Sequence, residues 1–168
     1  GALVPASNPH DALFKAIFSQ PDTAAAHLAT LLPPEVVERL DLEGLELLPG
    51  SFVDEALAER HTDLLFRARV IDGGEAWLYL LFEHQSTPDP WMPWRLLRYL
   101  VRIWERVLRE DPQRRGLPPI VPIVLSHGPR PWSAPITLSA LYEVPEVLLE
   151  PLRPYLPELK ILLEDLAV

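Results

Sequence analysis

Two apolar stretches joined by a glycine turn form the most distinctive pattern in the chain. Residues 62–70 are T-D-L-L-F-R-A-R-V, residues 76–82 are A-W-L-Y-L-L-F, and the sequence D-G-G lies between the two stretches. Both have the length of β-strands, and adjacent glycines supply the positive φ angles that a tight hairpin turn requires. The pattern therefore predicts an antiparallel β-hairpin over residues 62–85, at the centre of the fold.

Apolar residues at helical spacing predict helices on both sides of this hairpin. Three helices are expected before it, at about 10–19, from Pro21 to the residue before Pro33, and from Pro34 to about Leu40. Proline suits the first position of a helix, where its missing N–H group costs nothing. The clearest helix is expected at about 93–110, with an apolar face formed by Leu97, Leu100, Val101, Trp104, Val107 and Leu108.

Two further strands are predicted, at 45–48 and at 119–126. Pro122 interrupts the second one, and because proline cannot donate a ladder hydrogen bond it favours an edge strand or a bulge. The stretches 136–141, 144–149 and 159–166 are weaker strand or helix candidates. The predicted fold class is α/β, with a mixed central sheet of about four strands flanked by helices in a single domain over residues 1–168.

Composition narrows the class of protein further. The chain has 168 residues, of which 48% are hydrophobic, and it has no cysteine, which excludes disulfides and thiolate metal sites. The absence of cysteine also fits a cytoplasmic protein. No apolar stretch is long enough for a transmembrane helix, so no membrane contact is expected. The net charge of −9 opposes general coating of nucleic acid, although it leaves room for a local basic groove.

Two acids mark the ends of the predicted hairpin strands. Asp63 begins the first strand, and Glu83 ends the second strand, two residues before Gln85 on the same strand face. Neighbouring carboxylates repel each other, and a hard cation such as Mg²⁺ relieves that repulsion. The spacing therefore makes the hairpin a candidate for metal-dependent phosphoryl transfer. The alternative is that Asp63 is a turn residue and Glu83 a surface acid.

The helix at about 93–110 carries a stripe of arginines at spacings of 3, 4, 4 and 3, formed by Arg95, Arg98, Arg102, Arg106 and Arg109. Guanidinium groups suit bidentate phosphate contacts, so Arg95, Arg98 and Arg102 are candidate DNA contacts. The alternative is a solvated helix face, because Glu105 and Glu110 lie close by. Three tryptophans at 91, 94 and 104 are either base-stacking residues or part of the core.

Several sequence motifs, together with this order of elements, resemble the PD-(D/E)XK nuclease core, the restriction-endonuclease-like fold. The resemblance is closer to the recombination-promoting nuclease (Rpn) family, a transposase-like family, over about residues 8–130. The matching motifs are T-D-L-L-F at 62–66, L-L-F-E-H-Q-S at 80–86, R-L-L-R-Y at 95–99 and I-V-P-I-V-L-S-H-G at 120–128.

The resemblance implies a DNA endonuclease that hydrolyses phosphodiester bonds in recombination or transposition with Mg²⁺ or Mn²⁺. Asp63 and Glu83 would be the catalytic acids and the metal ligands. Gln85 stands where most of the superfamily has lysine; an amide orients water only by hydrogen bonds, so the metal would do more of the activation. Asp11 matches the place of an additional acid, and the alternative is helix capping.

The resemblance also implies DNA as the partner. A homodimer is a candidate assembly. Members of the family often run longer, so the chain is expected to be the N-terminal catalytic part of a longer protein. A second function stays open: a catalytically weak or inactive nuclease-like module that binds DNA or protein as an accessory of transposition. Metal binding at Asp63 and Glu83 distinguishes the two functions.

Overall fold

A mixed β-sheet of five strands forms the centre of the molecule, and the strands follow one another across the sheet in chain order. The computed structural model describes residues 9–52, 62–83 and 88–165. The strands are β1 (Leu40–Leu47), β2 (Thr62–Val70), β3 (Glu75–Glu83), β4 (Ile120–Ser126) and β5 (Leu162–Asp165). Strands β1 to β3 are antiparallel, and β3 to β5 are parallel. The predicted α/β class is confirmed, with five strands in place of about four, and the arrangement is compatible with a restriction-endonuclease-like core.

Helices cover both faces of the sheet. They are α1 (Pro9–Phe18), α2 (Pro21–Leu31), α3 (Pro34–Val37), α4 (Met92–Glu110) and α5 (Glu146–Leu152). Short 3₁₀ turns lie at Gly50–Phe52, Leu138–Leu141 and Arg153–Tyr155. Helix α3 is shorter than predicted because the chain already enters β1 at Leu40, five residues before the predicted start of that strand. No helix in the described ranges combines the length and apolar character that crossing a membrane requires.

Strand β3 is buried on both of its faces, which explains its uninterrupted apolar sequence. Side chains alternate between two hydrophobic clusters. Leu78, Leu80 and Phe82 lie in the cluster with α1 and α2, where the Phe14 and Phe82 rings stack at 4.8 Å between centroids. The other set, Trp77, Tyr79 and Leu81, lies in the cluster with α4.

The predicted hairpin is formed by β2 and β3. Its turn contains Gly73 at φ 112° and Gly74 at φ 88°, a region that residues with a Cβ atom rarely adopt. In the register of the two strands, Asp63 lies opposite Leu81. Strand β3 ends at Glu83, and the predicted continuation to residue 85 lies outside the described residues.

Helix α4 confirms the clearest predicted helix but is rotated relative to the predicted apolar face. Its buried residues are Met92, Pro93, Leu96, Tyr99, Leu100, Ile103 and Val107. Two predicted core positions are exposed, Val101 at 40% and Leu108 at 45%. The helix carries two adjacent apolar stripes, and contact with the sheet decides which of them is buried. Of the six predicted positions, Leu100 and Val107 are buried, and Leu97 and Trp104 are partly buried against the same core, so the predicted face is displaced only to one side.

The expectation that Pro122 favours an edge strand or a bulge is wrong for the strand as a whole, because β4 lies between β3 and β5 and its register with β3 is uninterrupted. Hydrogen bonds from Trp77 N to the Pro119 carbonyl and from His127 N to the Glu83 carbonyl direct the odd-numbered residues of this segment toward β3. Pro122 therefore faces the β5 side, and pairing with β5 begins only at Ile123. At Pro122 no strand pairs with β4 on that side, so the missing N–H group of the proline removes no hydrogen bond of the sheet.

Truncation of β3 at a fully buried position should show how much burial on both faces of the strand contributes to stability. Replacement Leu80→Ala is expected to lower the free energy of unfolding by about 2–5 kcal/mol, because it removes contacts on a fully buried side chain and leaves a cavity. Chemical denaturation followed by circular dichroism measures this change. The matched control Leu148→Ala on exposed α5 should stay within about 0.5 kcal/mol. Equal effects of the two substitutions would contradict the described core.

Candidate active site

Asp63 and Glu83 lie on one face of the sheet, at the edge where β2 begins and β3 ends. Asp63 is opposite Leu81, so Glu83 occupies the diagonal position two residues further along β3. Diagonal neighbours of this kind are about 7–8 Å apart between Cα atoms and share a face. This is the face that packs against α4, since Leu81 belongs to the α4 cluster. The two carboxylates therefore start from neighbouring positions, although they are not the directly opposed pair that a simple hairpin register would give.

Tyr79 anchors the first of these acids. Its hydroxyl group donates a hydrogen bond of 2.5 Å to Oδ2 of Asp63, and its ring is buried under α4. Burial raises the pKa of Tyr79 well above its usual value, and the negative charge of Asp63 and this hydrogen bond raise it further. The tyrosine therefore remains a protonated donor over the whole neutral range and fixes the orientation of the Asp63 carboxylate.

Tyr99 of α4 lies within electrostatic range of both acids. Burial is the main cause that raises the pKa of Tyr99; the carboxylates of Asp63 and Glu83 raise it further, whereas Arg95 and Arg98 lower it. A single hydroxyl group thus experiences two carboxylates from the sheet and two guanidinium groups from the helix. The acids and the first part of the arginine stripe consequently face the same small region of the molecule.

The parallel strands continue this polar edge beyond Glu83, which is only 2% exposed. Ser126 lies beside Glu83 in the register of β3 and β4, and Asp165 lies beside Ser126 in β5. Oδ2 of Asp165 accepts a hydrogen bond of 2.7 Å from the backbone N–H of Trp132. The carboxyl ends of three parallel strands therefore present polar side chains in one row, above a core that is otherwise apolar.

Sequence reasoning did not single out Tyr79, Tyr99 or Ser126. A usable signal existed for Tyr79, which is the polar-tipped residue four positions before Glu83 and therefore on the same strand face. Ser126 and Tyr99 carried no comparable signal, because their approach to the acids depends on parallel strand pairing and on the rotation of α4.

Two predicted site residues cannot be placed at this edge from the structure. Asp11 belongs to α1, which packs on the opposite face of the sheet through Phe14, and its side chain lies outside the described part. Gln85 lies outside the described residues altogether. The catalytic roles of both residues therefore stay predictions.

The arginine stripe starts at the same edge, because α4 runs back from the end of β3 to the beginning of β4. Arg95 Nε lies 2.8 Å from Oδ2 of Asp89, and the guanidinium group of Arg98 lies 5.9 Å from the centroid of the Trp94 ring. Further along the helix, Arg102 pairs with Glu105 at 3.2 Å. The guanidinium groups nearest to the acids are thus Arg95 and Arg98, and the part of the stripe that pairs with glutamates of α4 lies further from them.

The donor set at the edge fits a hard divalent cation in part. Within residues 9–52, 62–83 and 88–165, no group of three or more histidine, cysteine, aspartate or glutamate side chains is placed to hold a metal. Asp63 and Glu83 offer two carboxylates, and Mg²⁺ commonly uses one or two carboxylates while water and substrate phosphate oxygens complete its shell. The pair therefore fits a magnesium ion that is shared with a phosphate substrate and does not resemble a closed structural metal site.

Comparison with known proteins relates the chain to one family. The family described as "Putative transposase, YhgA-like" matches residues 8–168. The chain is 41% identical over 130 residues to the recombination-promoting nuclease RpnD of Escherichia coli O157:H7, covering 76% of this chain and 49% of RpnD. It is 38% identical to RpnA of Escherichia coli K12, covering 76% and 44% of the two chains. A third relative, the inactive recombination-promoting nuclease-like protein RpnE of the same strain, is 34% identical over 76% and 42%. No solved structure matches the chain.

Removal of the Tyr79 hydroxyl group should test its role as the anchor of Asp63. Replacement Tyr79→Phe is expected to lower the free energy of unfolding by about 1.5–3 kcal/mol, the usual range for a hydrogen bond to a charged group. The matched control Tyr155→Phe removes a hydroxyl group from a side chain that is 83% exposed and should change stability by less than about 0.5 kcal/mol. Urea denaturation at neutral pH compares the two variants.

The same pair of variants should differ in alkaline solution. Because the pKa of Tyr79 is raised by folding, its contribution to stability is full below the unfolded-state value of about 10, declines above it, and is gone once the pH exceeds the folded-state value. The parent chain should therefore lose more stability above about pH 10 than Tyr79→Phe does. Identical alkaline profiles of the parent and this variant would contradict the raised pKa of Tyr79, which burial and the interaction with Asp63 both cause.

Proposed function

Because the chain belongs to the YhgA-like transposase family, we propose that it is a divalent-metal-dependent DNA endonuclease that hydrolyses phosphodiester bonds in recombination or transposition. The names of RpnD and RpnA describe those relatives as recombination-promoting nucleases. The chain spans less than half the length of these relatives, so the activity of the whole protein is part of the proposal.

The observation that carries the proposal is the convergence of Asp63 and Glu83 at the polar end of a buried sheet. The two acids share a face at diagonal positions of the hairpin, and Tyr79 orients one of them. A neighbouring pair of carboxylates costs free energy through repulsion, which a shared cation relieves. Such an arrangement is expected of a site that binds a metal together with its substrate and not of an ordinary strand end.

Asp63 and Glu83 would hold Mg²⁺ or Mn²⁺ at this edge. When bound, the ion would stabilise the negative charge that develops on the phosphate and lower the pKa of a water molecule. Tyr79 keeps the Asp63 carboxylate in a fixed orientation, which reduces the ordering that ion binding requires. Gln85 would orient the attacking water through its amide, and Asp11 would serve as an additional acid.

Arg95, Arg98 and Arg102 would contact the DNA backbone beside the cleaved bond. They lie on the helix that starts at the acid edge, and two of them face the region around Tyr99. Guanidinium groups are suited to phosphate because their fork of N–H groups matches two oxygens. In a chain of net charge −9, this local basic stripe gives DNA an approach that the rest of the surface opposes.

A second candidate function is supported by one specific finding, namely that a relative of similar coverage, RpnE, is described as inactive. In that case the chain would be a nuclease-like module that binds DNA or protein without cutting. Gln85 in place of a lysine agrees with either function, since an amide orients water but supplies no charge. The two functions differ in whether a divalent ion binds at Asp63 and Glu83.

Isosteric replacement of the two acids should separate these functions. Replacements Asp63→Asn and Glu83→Gln are each expected to abolish cleavage of supercoiled and linear DNA in the presence of Mg²⁺ or Mn²⁺, because each removes an anionic oxygen ligand. Both amides keep the size of the side chain, and the amide oxygen introduced by Asp63→Asn can still accept the hydrogen bond from Tyr79, so the fold should persist. Gel assays of the cleaved DNA measure the activity.

Calorimetric titration of Mn²⁺ without DNA is the second measurement on these variants. The parent chain should bind the ion, and both amide variants should lose most of the affinity, whereas the exposed control Glu43→Gln should resemble the parent. A parent that neither binds Mn²⁺ nor cuts DNA would favour the inactive module. Cleavage by the amide variants at the parental rate would assign the chemistry to another site or to a contaminant.

The arginine stripe is tested by the salt dependence of DNA binding. Paired replacement of Arg98 and Arg102 by alanine should weaken binding and reduce the slope of log affinity against log salt by up to about 2, since each phosphate contact contributes roughly 0.9. Fluorescence anisotropy at several salt concentrations with chelator present measures this slope. Paired replacement of Arg39 and Arg69 by alanine, near the opposite edge of the sheet, removes the same charge and should leave the slope almost unchanged. Equal effects of the two pairs would contradict a specific DNA path along α4.

A further inference from the structure

Two tryptophans at the start of α4 are exposed to an extent that is unusual for this residue. Trp91 is 56% exposed and Trp94 is 46% exposed. Tryptophan is highly buried on average, so two large exposed rings within four residues require an explanation. The sequence left open whether these rings belong to the core or bind bases, and their exposure excludes the core.

The rings are located at the edge that carries the two acids. Strand β3 ends at Glu83, and β4 begins with Ile120 beside Trp77, so α4 must run back across the sheet and its first turn lies at the Glu83 end. Trp91 immediately precedes the helix and lies four residues before Arg95, in line with the arginine stripe. The aromatic pair therefore forms the end of the basic stripe that is nearest to the candidate active site.

The turn that carries these rings is held in place by Asp89. Its Oδ1 accepts a hydrogen bond of 2.9 Å from the backbone N–H of Trp91, and its Oδ2 lies 2.8 Å from Nε of Arg95. The guanidinium group of Arg98 lies 5.9 Å from the centroid of the Trp94 ring. The backbone under the rings is thus ordered before any ligand arrives, and a cation accompanies one of the rings.

We propose that Trp91 and Trp94 form a stacking platform for unpaired bases, so that the substrate of the adjacent site is DNA with a single-stranded segment next to the cleaved bond. The identification of this DNA as the substrate rests on the proposed function, whereas the binding of unpaired bases does not depend on cleavage.

Exposed rings beside arginines favour unpaired bases for a physical reason. In a duplex the faces of the bases are covered by their neighbours, whereas an unpaired nucleotide offers a free face to an indole ring. Stacking does not release counterions, so it persists at salt concentrations that weaken phosphate contacts. For a chain of net charge −9, this contribution supplies affinity that the overall charge cannot provide.

The experiment compares three labelled probes by fluorescence anisotropy with chelator present, so that no cleavage occurs. The probes are a single strand, a blunt duplex of the same sequence, and a strand of equal length built from abasic residues. The abasic strand keeps the phosphates and lacks the bases, so it separates stacking from charge. The parent chain is compared with the double variant Trp91→Ala/Trp94→Ala, with Trp91→Phe/Trp94→Phe, and with Tyr155→Ala as an exposed aromatic control.

The parent chain should bind the ordinary single strand at least about tenfold more tightly than the abasic strand, in keeping with stacking on one or two rings. The double alanine variant should lose this difference while its affinity for the abasic strand stays the same. The phenylalanine variant should recover part of the difference because it retains aromatic rings, and Tyr155→Ala should behave like the parent.

Three outcomes would overturn the inference. The first is equal affinity of the parent for the ordinary and the abasic strand, and the second is a double alanine variant that still discriminates between them. The third is a parent that sediments as a dimer together with a double alanine variant that sediments as a monomer, which would assign the rings to a contact between two copies. Failure of the proposed function is recognised separately. A parent that discriminates between the two strands but cuts no DNA with Mg²⁺ or Mn²⁺ would support the stacking platform and contradict the endonuclease activity.

Discussion

Burial of β3 on both faces is the constraint on which the rest of the structure depends. A strand that packs against helices on two sides has no solvent-facing side chain along its length, so it can carry polar chemistry only where it ends. Strand β3 ends at Glu83, and the side chains before it alternate between the two hydrophobic clusters. The position of the candidate active site is therefore a consequence of how the sheet is covered.

The first acid is placed by the same constraint acting on β2. Leu64 and Phe66 bury one face of this strand, so Asp63 belongs to the face that α4 covers, and it lies near the start of the strand at the same edge. Asp63 is half-buried, and a carboxylate that is partly removed from water is costly when it is unsatisfied, so it needs a fixed donor. Tyr79 supplies this donor from within the core, which joins the packing of the sheet to the geometry of the site.

Local patterns determined how much of this arrangement could be predicted from sequence. The hairpin was predictable because its signals, two apolar runs and two glycines, lie close together in the sequence. The predicted register differs from the observed one by two residues, since Asp63 lies opposite Leu81 and not opposite Glu83. Strand β5 has only four residues and pairs in parallel with β4, which lies far from it along the chain, so no pattern in neighbouring residues indicates this pairing. The rotation of α4 was missed because two apolar stripes compete on that helix and only the sheet decides between them. Asp11 and Gln85 stay predictions, since neither side chain belongs to the described part of the chain.

The connection between β3 and β4 explains why acids, arginines and exposed aromatic rings occur together. Two adjacent parallel strands joined through one helix require that the helix return across the sheet, so its first turn lies at the carboxyl end of the first strand. In α/β proteins ligands bind outside the carboxyl ends of parallel strands for the same reason. Here that edge combines Glu83 and Ser126 from the strands with Trp91 and Arg98 from the helix. A polypeptide that places an acid at the end of β3 and begins the next helix with arginine and tryptophan brings the three kinds of side chain together through its topology, before any particular side-chain contact is made.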